Sequence, residues 1–165
     1  CSAYLDLGNR VADPISAMSS ELTPGAPLER ACRYSYELRL HRARGYGALK
    51  AILDILAVEE PLTLTEISIR LKRTPGSTKD YLSWLEDVDL VISRQKRYTF
   101  TDPLLRLWVH LHGRTVPPGE DEIARDVQLY ALARIPHAEA TPALAYVGSE
   151  GTPEERKSWG IIEID

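Results

Sequence analysis

Hydrophobic positions in the middle of the chain recur with helical spacing, then alternate, then return to helical spacing. Leu49, Ile52, Leu53 and Leu56 stand at i, i+3, i+4 and i+7, one face of a helix, which Glu59-Glu60-Pro61 should end. Thr63-x-x-Glu66 reads as a capping box, the hydroxyl taking an orphan amide while the glutamate reaches back. It opens a second helix with Leu64, Ile67 and Leu71 on one side. Lys72-Arg73 leads into the turn Thr74-Pro75-Gly76-Ser77, where Ser77 is expected to cap a third helix and Asp80 to favour its N-terminus electrostatically. Thr78, Leu82, Leu85 and Val88 would be its buried stripe. Two β-prone runs, Leu90–Arg94 and Arg97–Thr101, flank Gln95-Lys96 and predict a hairpin. Gln-Lys fits the glycine-containing two-residue turns poorly, so a looser turn is expected. Asp102-Pro103 then caps a helix carrying Leu104, Leu107, Trp108 and Leu111, with Leu105 and Val109 as a second stripe. Three helices, a short hairpin and a closing helix predict a winged helix-turn-helix over residues 44–114.

The flanks read as packing helices. Tyr4, Leu5 and Leu7 open an apolar patch, and Asp13-Pro14 reads as a cap and first helical residue. Ile15, Met18 and Leu22 follow at helical spacing until Thr23-Pro24-Gly25 breaks the run. A further helix should start near Pro27 and pass through Leu28, Cys32 and Tyr36 towards Leu40. Gly45-Tyr46-Gly47 has too few glycines for a phosphate-cradling loop and reads as a hinge. Val116-Pro117-Pro118-Gly119 is a linker, and Glu120–Arg134 should be helical with Ile123, Val127 and Tyr130 inward. The segment from Ile135 onward is expected to be extended, with Ala143–Val147 and Trp159–Ile164 its only possible strands. The expected architecture is mainly α with a small β-hairpin, in three parts: lid-like helices over 1–43, the winged helix over 44–114, and a helix with an extended tail over 115–165.

Composition adds limits. At 165 residues, 44% hydrophobic and 27% charged, the chain can form a core. It lacks the run of roughly 20 apolar residues that a spanning helix needs and a secretory leader pattern, so a cytoplasmic location with no membrane partner is expected. It begins Cys1-Ser2 with no initiator methionine, as a processed piece of a longer polypeptide would. Cys1 and Cys32 form no ligand spacing and are expected to be reduced thiols. The net charge of -4 argues against coating nucleic acid by bulk electrostatics. It is unevenly spread, since 11 of the 20 Lys+Arg but only 9 of the 24 Asp+Glu lie between Arg44 and Arg114.

Leu64-Thr65-Glu66-Ile67, the turn before Ser77, Tyr81-Leu82-x-x-Leu85-Glu86 and Tyr98-x-Phe100-x-Asp102-Pro103-Leu104-Leu105-Arg106-Leu107-Trp108 together form a pattern. This pattern resembles the C-terminal winged helix of the archaeal-type AAA/STAND ATPases of prokaryotes. The last string is its most specific part. The likeness covers about half the chain, with the preceding helices fitting a lid subdomain and the tail uncovered. In that family ATP and Mg are held by a phosphate loop N-terminal to everything seen here, and no ATP-site residue can be carried over. The resemblance therefore implies a chain that binds no cofactor itself and is not an enzyme. It would be a regulatory module whose partners are the ATPase domain of its own polypeptide and other proteins.

The third helix supplies the candidate contact surface. Its outward set by the stripe above is Ser77, Lys79, Asp80, Ser83, Trp84 and Asp87. In a DNA-reading winged helix this face meets base edges and phosphates, and Arg70, Lys72, Arg73, Arg94, Lys96 and Arg97 could clamp a duplex backbone. Two carboxylates beside one lysine match phosphates poorly, and an exposed tryptophan marks a protein contact. A domain or protein interface is the favoured reading, with duplex DNA as the alternative. Asp102, Arg106 and Trp108 could touch an ATPase core, but a cap, a snorkelling base and a core aromatic are the expected roles. Trp159 is another possible anchor. His110 and His112, two apart on a helix, should point to different faces, and His41 and His137 have no carboxylate at ligand spacing, so no metal site is expected. Glu163-Ile164-Asp165 has a superficial likeness to nuclease carboxylates, but lacks the upstream acid and following lysine such a site needs.

Overall fold

In the computed structural model the described residues are 13–43 and 45–134. They belong to one compact unit. The expectations for Tyr4, Leu5 and Leu7, for Cys1 and Arg44, and for the segment holding His137, Trp159, Glu163 and Asp165 lie outside the described residues. Seven helices and three short strands make the described part mainly helical with a small antiparallel sheet. No described helix is long and apolar enough to cross a membrane.

Asp13 caps α1 (Pro14–Glu21), its carboxylate accepting from the amides of Ile15 and Ser16, and Pro14 stands at a position where no amide is needed. Gly25, at φ 89°, turns the chain into α2 (Pro27–Arg42). Gly45 turns it again into α3 (Tyr46–Val58). Gly45 has φ 89°, and a Cβ there would stand 3.1 Å from the Tyr81 ring, so both the backbone and the close packing call for glycine.

The Thr63/Glu66 capping box forms as its residue types require, with Thr63 donating its amide to Glu66 Oε2 at 2.7 Å. It starts α4 (Leu64–Leu71). The next helix, α5 (Pro75–Asp87), begins two residues before the expected cap. Thr74, not Ser77, is its N-cap, because Pro75 fits the first helical position and Thr74 Oγ1 then accepts from the Ser77 amide at 3.4 Å. After the sheet come α6 (Pro103–His112) and α7 (Glu120–Leu132), the latter two residues shorter than expected.

The strands are β1 (Leu62–Thr63), β2 (Val91–Arg94) and β3 (Arg97–Phe100), ordered β1-β3-β2. β1 is absent from the sequence reading. Two residues cannot show an alternation, and the pair precedes a helix cap that dominates the local signal. Its partner is β3, with Leu62 opposite Tyr98. The hairpin turn is tighter than expected. Arg94 pairs with Arg97, leaving only Gln95 and Lys96 in the loop, both left-handed at φ 52° and 64°. Strand twist selects this geometry even without glycine. Each left-handed non-glycine residue costs roughly 1 kcal/mol, so Gln95→Asn with Lys96→Gly is expected to raise stability by about 1 kcal/mol. Calorimetry should show this as a midpoint ~4 °C higher.

One core runs through the whole described part. Leu22 of the α1 end, Leu40 of α2, Leu49, Ile52, Leu53 and Leu56 of α3, Ile67 of α4, and Leu82 and Leu85 of α5 are all fully buried. Leu90, Leu111 and Val127 join them, so the helices flanking the central segment share its interior. Each such side chain contributes about 1.5–3 kcal/mol by leaving water.

Candidate functional site

The link from α4 to α5 is built by backbone geometry. Lys72 caps α4 at φ 54°, and the amides of Lys72 and Arg73 return to the carbonyls of Ile69 and Ser68. Both side chains are thereby left on the surface. An open groove of about 550 Å³ lies along this link, walled by Thr65, Ile69, Lys72, Arg73, Thr74 and Ser77.

Of the expected cations, two are committed within the chain. Arg70 holds Glu59 at 2.6 Å, and Arg97 stands 4.0 Å from Glu66 while donating to the Pro61 carbonyl at 3.2 Å. Among the described residues no carboxylate lies within salt-bridge distance of Lys72, Arg73, Lys79, Arg94 or Lys96. Lys79, Asp80, Ser83 and Asp87 are exposed on α5, and Ser77 is half-buried.

Trp84 does not stand outward as the helical stripe implied. It is half-buried, meeting Tyr81 edge-on at 5.5 Å and lying beside Gly45. The missing side chain at Gly45 makes room for the two rings, a long-range effect that the local period of α5 cannot show. Arg73 covers the Tyr81 ring from 5.9 Å, which extends the stack towards the groove.

Asp102 caps α6 through the Leu104 amide at 2.8 Å. Arg106 lies 3.3 Å from Glu60 and donates to the Leu56 carbonyl. Trp108 is buried against Tyr36 and His112. All three thus hold the fold in the manner expected of a cap, a snorkelling base and a core aromatic. His110 and His112 diverge, towards Asp126 and towards the Leu22 carbonyl respectively. His41 does have a carboxylate beside it, contrary to expectation: Glu37, one helical turn earlier, at 3.5 Å. Among the described residues no three His, Cys, Asp or Glu side chains come together as a metal site would require.

Two buried carboxylates were passed over in the linear pattern. Glu29 is fully buried at the start of α2, and accepts from the Gly25 amide, the Arg33 guanidinium and the Trp108 indole. Burial pushes its pKa up, but these hydrogen bonds outweigh that and hold it below the ordinary glutamate value. Asp126 of α7 is buried beside His110. Glu29 stands three residues before Cys32 and Asp126 three after Ile123, so helical spacing puts both on the inward stripes, but a carboxylate there normally reads as solvated. Cys32 is a core thiol, its pKa pushed up to about 11, mainly by burial, which leaves it poorly nucleophilic at neutral pH.

A second groove, of about 240 Å³, lies where the C-terminal end of α3 meets α6 and α7, with Val58 and Leu129 exposed at its margin. No family model matches this chain, and no curated protein or solved structure matches it either.

Proposed function

We propose that residues 44–114 are a winged helix-turn-helix. In this reading the chain is a non-catalytic regulatory and interaction module of a larger, cytoplasmic ATP-binding protein of AAA/STAND type. It acts by contacting the nucleotide-binding part of its own polypeptide and other proteins. The observation that carries the reading is the charge on the outward face of α5. Lys79 shares α5 with the exposed carboxylates Asp80 and Asp87, a mixed surface suited to a protein partner and poorly suited to phosphates. The Asp102–Trp108 string, which carries the family resemblance, supports the ATPase context.

The test uses the complete polypeptide encoded by the gene. It should bind an ATP analogue, and reversing the α5 face with Lys79→Glu, Asp80→Lys and Asp87→Lys should change ATP turnover several-fold with the helical signal intact. A complete polypeptide that binds no nucleotide overturns the reading.

A second reading, a DNA-binding regulator, is favoured by one observation: five cations on α4–α5 and the hairpin have no carboxylate partner among the described residues. It predicts salt-sensitive binding to duplex DNA that weakens on Arg94→Ala and Lys96→Ala, with the log–log salt slope falling by about 0.9 for each phosphate that is no longer neutralised. A flat anisotropy titration at low salt removes this alternative.

A further inference from the structure

The joint between α6 and α7 contains a buried carboxylate oxygen with no hydrogen-bond donor. Asp126 Oδ1 accepts from Arg125 Nε at 3.4 Å, but Oδ2 accepts from nothing. Its nearest basic groups are His110 Nε2, 3.4 Å from Oδ2, and Arg114 Nη2, 3.9 Å from it, an ion pair without hydrogen-bond geometry. His110 Nε2 lies 3.1 Å from Arg114 Nη2. A guanidinium can only donate, so Nε2 is an acceptor in this arrangement and the ring proton sits on Nδ1. Oδ2 thus faces an imidazole nitrogen that has no hydrogen to offer it, with the Arg114 guanidinium beside it but turned to His110 and Glu122. A buried acceptor left in this way calls for a physical explanation.

We propose that His110 is a proton-operated switch between α6 and α7. With the ring neutral, Nε2 accepts from Arg114. When Nε2 takes a proton from solvent it becomes a donor, bonds Asp126 Oδ2, and repels Arg114 towards Glu122, with which Arg114 already pairs.

The charged surroundings define the switch. Arg106 lies one turn earlier on α6, Arg114 just beyond the end of α6, and Glu122, Arg125 and Asp126 lie on α7. Tyr130 and Arg134 share the groove wall but stack on each other, with the guanidinium 3.9 Å from the ring centroid. The charges on the other packed elements are engaged elsewhere. On α3, Lys50 pairs with Asp54, and on β3, Arg97 meets Glu66. On α2, Arg33 pairs with Glu29. On α1, Asp13 caps its own helix and Glu21 accepts from the Leu28 amide. Burial holds His110 below the ordinary histidine value, opposed by Asp126 and Glu122 and assisted by Arg114 and Arg106. The neutral arrangement is therefore the resting one at neutral pH, and protonation of the ring on acidification throws the switch. Because His110 and Asp126 both line the groove beside Val58 and Leu129, the change also alters the charge of that wall.

Nitrogen NMR of the histidine rings in the intact chain tests the proposal. At pH 7.5, His110 should show the Nδ1–H tautomer and titrate below pH 6.5. Asp126→Asn should lower its midpoint, and Arg114→Ala raise it, each by about one pH unit. Protection factors of α7 amides, corrected for intrinsic exchange, should change through that midpoint in the native chain and stay level in His110→Gln. An Nε2–H tautomer at pH 7.5 in the native chain overturns the proposal without recourse to any variant. So does a His110 midpoint unmoved by Asp126→Asn, or an α7 response that persists in His110→Gln.

Discussion

Replacing Trp108 with alanine is expected to lower the stability of the fold by about 3–5 kcal/mol, the largest effect of any substitution considered. The indole is buried between α2 and α6. It meets the Tyr36 ring at 5.2 Å and the His112 ring at 5.6 Å, and its N–H reaches Glu29 Oε1 at 3.4 Å. Truncation removes both ring neighbours' packing, opens a void in a close-packed interior and deprives Glu29 of a donor. Native domains are stable by only about 5–15 kcal/mol, so the variant should unfold at a much lower urea concentration, followed by far-ultraviolet circular dichroism. Trp108→Phe keeps an aromatic ring and should cost about 1–2 kcal/mol, chiefly through the missing N–H bond. A loss below ~1 kcal/mol for the alanine variant would instead mark Trp108 as a residue kept for contact with another domain.

Glu29→Ala is expected to cost about 2–4 kcal/mol. The carboxylate is fully buried, and its removal leaves the Gly25 amide and the Trp108 indole without their acceptor. Arg33 is more than half exposed and can turn to water, which limits the loss from that pair. Glu29→Gln preserves the shape but puts an amide where one oxygen now accepts, and should fall between native and alanine. Because Glu29 and Trp108 share a bond, the double variant should cost less than the two single losses added together. The pH dependence follows from the lowered pKa. Ionised Glu29 stabilises the folded state at every pH above the unfolded value near 4.5, and that contribution drains away as pH falls through the lower folded value. Between native chain and Glu29→Gln, the stability gap should therefore be constant from pH 6 upward and narrow below 4.5.

Glu29 also marks a limit of reading one dimension at a time. It lies in the first turn of α2, where a glutamate is ordinary at the surface, and only the arrival of α6 brings an indole N–H to it. The same limit hid β1, whose two residues become a strand only because Tyr98 and Arg97 lie alongside. It misplaced Trp84 too, since the helical period of α5 cannot register that Gly45, far earlier in the chain, leaves room for the ring. The hairpin turn differs in kind. Gln95-Lys96 is a poor local choice, and the pairing of Val91 through Arg94 with Phe100 through Arg97 imposes the left-handed geometry on it. Among the candidate contact residues, residue type and exposure were legible for Lys72, Arg73, Lys79, Arg94 and Lys96. That Arg70 and Arg97 are neutralised was not, because Glu59 and Glu66 reach them across separate elements.

By itself the amino-acid order determined the start of several helices and most of the faces they bury. Capping and periodicity act within one or two turns, and Asp13, the Thr63/Glu66 box, Asp102 and the leucine stripes carry that information locally. Tertiary structure alone decided which charges are spent, which carboxylates pack inside against which donors, and how His110, Arg114 and Asp126 come to face one another. Those outcomes depend on groups far apart in sequence meeting where water is excluded, and there electrostatic and hydrogen-bonding energies are set by neighbours in space.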